Sequence, residues 1–128
     1  MIAFLISAAL ILLNAIFVAA EFAIVGVPKA SIDRRAAEGN ALAKAVQAVL
    51  RDPKAQDRYI ATAQLGITVA SLGLGMYGEH VLADGIYDLL GKPGVPAMFA
   101  SHTLASVVAI SILTYFHIVV GEMVPKSL

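Results

Sequence analysis

The sequence predicts an all-α integral membrane protein with three transmembrane helices and short interfacial helices. Three observations carry that prediction. Of 128 residues, 59% are hydrophobic and 14% are charged, and mean hydropathy is +0.84, far from the balance of a soluble domain. Apolar segments at 2–27, 59–77 and 101–120 each approach or exceed the roughly 20 residues that a bilayer core requires. Lipid offers no partner to an open backbone, so each segment must close its own hydrogen bonds as a helix.

The length allows one domain, 1–128. Formal net charge is zero, which gives no electrostatic support to a nucleic-acid partner. With no cysteine, disulfides and thiolate metal sites are excluded.

The first span, 2–27, lacks the basic start of a secretory signal and is too long for its apolar region, so it reads as a retained helix. At 1.5 Å per residue it extends roughly 39 Å, enough to cross with some tilt. Residues 28–58 hold seven of the nine basic residues: Lys29, Arg34, Arg35, Lys44, Arg51, Lys54 and Arg58. The positive-inside rule makes this loop cytoplasmic, with the N-terminus outside and the C-terminus inside; the expected location is the cell (plasma) membrane. Within it Leu42, Ala45, Val46, Val49 and Leu50 recur at helical spacing, and Asp52-Pro53 ends the run. After the second span, Leu82, Ile86, Leu89 and Leu90 form one face of a short interfacial or re-entrant helix, with Gly91 as its C-cap and Pro93 beyond.

The informative residues are polar ones inside the spans. Ser7, Asn14 and Glu21 are spaced by sevens and share one stripe. Gln64, Thr68 and Ser71 share a face of the second span, and Thr103, Ser106, Thr114, His117 and Gly121 a face of the third. An ionised carboxylate near the bilayer centre costs about 2.5–3.5 kcal/mol on insertion scales, so Glu21 calls for a reason. Glu122 sits between Gly121 and Pro125 at the end of the third span. Pro125 has no N–H and disfavours helical geometry at Val124, which frees carbonyls to face an ion. Oxygen donors of this kind suit a hard cation such as Mg²⁺, and broken helices form cation sites in transporters. Glu122 and the Gly121 carbonyl are the first candidates for ion contact; Thr68, Ser71, Asn14 and Glu21 follow.

Plainer roles compete with these. Hydroxyls bond the backbone one turn earlier or join helices. Glu21 has Lys29 and the loop arginines as partners, Glu122 could cap an interface, and His117 could simply pack. Gly73-Leu-Gly75-Met-Tyr-Gly78 matches a dinucleotide fingerprint, yet no strand precedes it; close helix packing explains it better. No nucleophile–base pair and no two-histidine metal motif is present, so no enzyme is predicted.

Three stretches, LNAIFVAAEFAIVGV, TAQLGITVASLGLGMYGE and HIVVGEMVPKSL, together resemble the transmembrane domain of the CNNM/CorC family of magnesium transporters across essentially the whole chain. The resemblance implies a homodimer in the lipid bilayer that exports Mg²⁺ against Na⁺. It also implies a conducting turn at Gly121, Glu122, Pro125 and Lys126. Where many members place a serine in the first helix and an asparagine in the second, this chain has residues from Val18 to Ala20 and Ser71. The family continues into cytoplasmic CBS domains that bind nucleotide, so the chain reads as the membrane part without them. A non-transporting anchor or scaffold for such domains is the alternative reading.

Overall fold

The computed structural model describes residues 2–90 and 102–127. Every regular element among them is helical. Among the described residues, three helices are long and apolar enough to cross a membrane: Phe4–Gly26, Pro53–Asp88 and Thr103–Ser127.

Helix α1 runs over Ile2–Gly26. Pro28 then opens α2, Lys29–Ala37, with its missing N–H at a position that needs none. Gly39 ends α2 in the left-handed region at φ 92°, and Asn40 N–H reaches back to the Arg35 carbonyl at 3.1 Å. The Asn40 side chain next accepts from Ala43 N–H at 3.0 Å and so starts α3, Ala41–Arg51. Asp52 closes α3 and caps α4, Pro53–Gly73, by accepting from Lys54 N–H at 3.0 Å.

The α2–α3 hairpin differs from its sequence reading in two ways. Residues 29–37 carry no apolar stripe, yet they form a helix because α3 lies beside them and buries Ala36. The buried face of α3 is Ala43 and Leu50, whereas Leu42 stays 79% exposed. Asp33 ties the pair together, accepting from Gln47 Nε2 at 2.6 Å and from Arg51 Nη2 at 3.1 Å. These donors, Gln47 foremost, hold the Asp33 carboxyl below the usual carboxylate range. Stability that rests on a depressed carboxyl is complete above its unfolded value and is lost as pH falls through the lower folded one. Amide exchange in α2 is therefore expected to speed up as pH drops below about 4, beyond the intrinsic pH trend, and Asp33→Asn should remove the effect.

The second span is one rod. Helix α4 passes through a π-helical turn, Leu74–Gly78, directly into α5, Glu79–Leu90. No break separates a transmembrane piece from an interfacial one; Leu82 and Ile86 lie on this continuous helix. The expected cap at Gly91 and Pro93 lies outside the described residues. Helix α6, His102–Phe116, packs against α5, continues as a π-helical segment, His117–Met123, and ends in α7, Val124–Ser127. The chain does not turn at Pro125: Val124 stays helical at φ −60°, ψ −50°.

The core is built from small residues. Seven of its eleven buried hydrophobics among the described residues are alanines, including Ala83, Ala105 and Ala109 where α5 meets α6. Large side chains such as Phe4, Leu12, Met76 and Tyr115 face outward. That distribution suits helices solvated by lipid, where close backbone approach rather than apolar burial holds spans together.

Candidate functional site

Where the three spans meet, one polar cluster interrupts the alanine-lined core. Asn14 of α1 is fully buried at 0% exposure. Its Nδ2 donates to the Gly121 carbonyl at 3.0 Å. Its Oδ1 accepts from Ser71 Oγ of α4 at 3.3 Å. Ser71 Oγ lies 3.2 Å from His117 Nε2.

Local sequence explains why the Gly121 carbonyl is available. In an α-helix it would accept from residue 125, and Pro125 has no N–H to give. The ring also crowds that carbonyl, and the chain answers by widening into the π segment, where Val124 N–H bonds the Val119 carbonyl. Asn14 takes the freed position. A Cβ at residue 121 would stand 3.0 Å from Asn14 Nδ2, so glycine admits the amide at this range.

The cluster has a fixed direction. A carbonyl only accepts, so Asn14 must present its NH₂ to Gly121 and its oxygen to Ser71. The Ser71 proton then points at Asn14, and Ser71 accepts from His117. His117 must therefore carry its proton on Nε2. Donors cap every oxygen that faces its neighbour within the chain.

The six candidate ion contacts separate into two groups. Asn14, Ser71 and Gly121 come together. The others do not join them: Thr68 donates to the Gln64 carbonyl at 2.9 Å, one turn back. Glu21 accepts from Gln64 Nε2 at 3.2 Å rather than from Lys29 or a loop arginine. Glu122 pairs with Lys126 at 3.4 Å, and the Lys126 ammonium stands 5.4 Å from the centre of the Phe22 ring. Tyr59 donates to the Ala20 carbonyl at 3.2 Å at the same end of α1. Among the described residues, no group of three or more acidic or histidine side chains is placed to hold a metal. His117 belongs to the cluster and not merely to the packing. Its signal was the i, i+4 relation to Gly121 on a face already marked as polar.

A cavity of about 300 Å³ adjoins the cluster, lined by Ser71, Gly75, Glu79, Thr114 and His117 among others. It lies away from Glu21 and Glu122. A larger apolar cleft of about 500 Å³ between α1, α5 and α6 has Ser7 and Gly78 in its wall. The glycines of the second span divide accordingly. Gly73 faces Leu10 and Gly78 faces Ser7, Leu74 and Leu113, as close packing requires, while a Cβ at Gly75 would meet nothing within 4 Å.

Residues 5–128 match the cyclin M transmembrane N-terminal domain. UPF0053 protein YhdP of Bacillus subtilis is 42% identical over 120 residues, covering 94% of this chain and 26% of that protein. Uncharacterized protein Rv1841c of Mycobacterium tuberculosis is 35% identical over 126 residues, covering 98% and 34%. UPF0053 protein sll0260 of Synechocystis is 31% identical over 119 residues, covering 93% and 26%. No solved structure matches the chain. The chain spans about a quarter of the length of the first of these relatives. With three helices long and apolar enough to cross a membrane among the described residues, and a match over nearly every residue, this chain belongs to the CNNM family through its transmembrane domain.

Proposed function

We propose that the chain is the cation-handling membrane domain of a Mg²⁺ exporter that exchanges Mg²⁺ for Na⁺. The observation that carries this reading is the buried cluster of Asn14, Ser71 and Gly121, which joins all three spans inside a core of alanines. Oxygen donors from three helices are what a hard divalent cation requires, with water completing its shell. To offer them, Asn14 must withdraw its amide from Gly121 and Ser71 must turn its proton away from Asn14. Binding is thus an exchange of internal hydrogen bonds for metal contacts. Glu21 and Glu122 serve at the end near the basic loop, where their carboxylates attract cations to or from that side. By the positive-inside rule the basic α2–α3 segment favours that side as cytoplasmic, and a second copy of the domain and regulatory CBS domains complete this reading.

The test is cellular Mg²⁺ content under Mg²⁺ load in cells expressing the full-length protein. Wild type should lower it. Asn14→Ala should slow export by at least about tenfold, the equivalent of about 1.4 kcal/mol of lost ion contact, and Glu122→Ala should slow it less. Equal Mg²⁺ content with wild type, variant and empty vector would replace this reading with a scaffold for cytoplasmic domains.

A further inference from the structure

The cavity beside Ser71 has a wall that is part apolar, through Leu74, Ile110 and Leu113, and part polar, with polar groups that the cluster does not use. Among the described residues, no hydrogen bond or ion pair reaches the Glu79 carboxylate, the Thr114 hydroxyl or Nδ1 of His117. Three hydroxyls elsewhere in the spans, those of Thr62, Thr68 and Ser111, instead donate to the carbonyl four residues back. All three unpartnered groups line the same space.

Depth gives that space a direction. Counted from Tyr59, where the apolar run of the second span begins, the rod rises about 30 Å to Gly78, the thickness of a bilayer core, and this count puts Glu79 at the membrane boundary opposite the basic loop. Ser71 lies eight residues lower, about 12 Å inside. An unpaired carboxylate at that boundary needs water. The π-helical turn Leu74–Gly78 occupies the interval, and Gly75 leaves its wall without a side chain.

We propose that this cavity is a water-filled vestibule that leads a hydrated divalent cation between the outer membrane face and Ser71, with Glu79 as the charge at its mouth. Thr114 and the free edge of His117 supply hydrogen-bond partners to the water shell, and Gly75 keeps the passage open. The identity of the cargo rests on the function proposed above; the vestibule itself does not. A cleft of one charge sign between low-dielectric walls concentrates cations and excludes anions.

The experiment uses the full-length protein in membranes, with Thr114→Cys and Glu79→Cys as two reporters. This chain has no cysteine of its own, and the untreated background comes from wild type. Thiosulfonate reagents bearing a trimethylammonium or a sulfonate group are applied from the face opposite the basic loop. Thr114→Cys should react with the cationic reagent about tenfold faster than with the anionic one, after correction for their rates with a free thiol. Glu79→Gln should bring the ratio near one. Millimolar Mg²⁺ should slow the cationic reagent in the presence of Glu79 and leave Glu79→Gln unaffected. Gly75→Leu, whose Cβ would meet nothing within 4 Å, should slow both reagents by filling the passage.

Reaction of both reporters no faster than Ile118→Cys, an exposed apolar position of the third span outside the cavity, would overturn the vestibule. A charge ratio unmoved by Glu79→Gln would overturn the role of Glu79. Charge-selective labelling without any change in cellular Mg²⁺ would keep the vestibule and discard the Mg²⁺ cargo.

Discussion

Asn14→Asp is expected to destabilise the folded domain more than Asn14→Leu does, and a divalent cation is expected to reverse only the first loss. Leucine removes two hydrogen bonds and leaves the buried Gly121 carbonyl unsatisfied, which costs about 1–3 kcal/mol. Aspartate keeps the shape but turns an acceptor toward an acceptor. One Asp oxygen would face the Gly121 carbonyl 3.0 Å away, and an ionised carboxylate would be buried at a site with 0% exposure. Removing one partner from a buried polar pair and leaving a charge costs about 3–5 kcal/mol. A bound cation changes the sign, because carboxylate, Ser71 Oγ and Gly121 carbonyl then share one positive neighbour. Thermal unfolding in detergent, with chelator and with Mg²⁺, reads both effects. If Asn14→Asp melted with Asn14→Leu and ignored Mg²⁺, the cluster would not be an ion site.

Gly66→Leu is expected to separate α1 from α4. A Cβ at this position would lie 2.5 Å from the Phe17 ring, closer than any real contact, so even alanine displaces the ring. Overpacking of this kind costs about 1–3 kcal/mol, and the larger leucine should reach the upper end or prevent insertion. The damage reaches the cluster, because Asn14 and Phe17 sit one turn apart on the same helix and Ser71 stands five residues beyond Gly66. Phe17→Ala should rescue Gly66→Ala in a double-mutant cycle with coupling above about 0.5 kcal/mol. Additive losses would show that the two residues do not touch.

The three crossings were legible because lipid forces a simple rule on long apolar runs, and nothing competes with it. The polar stripes were legible for the same reason: Asn14 and Ser71 had no apolar excuse to be there. The length of the second span was harder to read. Gly73, Gly75, Gly78 and Glu79 punctuate it as a terminus would in water, but a bilayer rewards a closed backbone whatever the side chain, and the chain absorbs the irregularity as a π turn. Pro125 misled in a similar way; it frees the carbonyl as expected and yet leaves Val124 helical. Helix α2 was hidden because its residues are held by Asp33, Gln47 and Arg51 across a hairpin that local spacing does not reveal. Thr68 shares a face with Ser71 on paper, but its hydroxyl is spent on its own backbone.

A single residue, Asp52, connects α3 to the second span, and its extended backbone at φ −109°, ψ 108° is the one joint between them. Above it the helix is unbroken from Pro53 to Leu90, with Ser71 partway along. No irregular residue other than Asp52 stands between the basic hairpin and the hydroxyl that Asn14 holds.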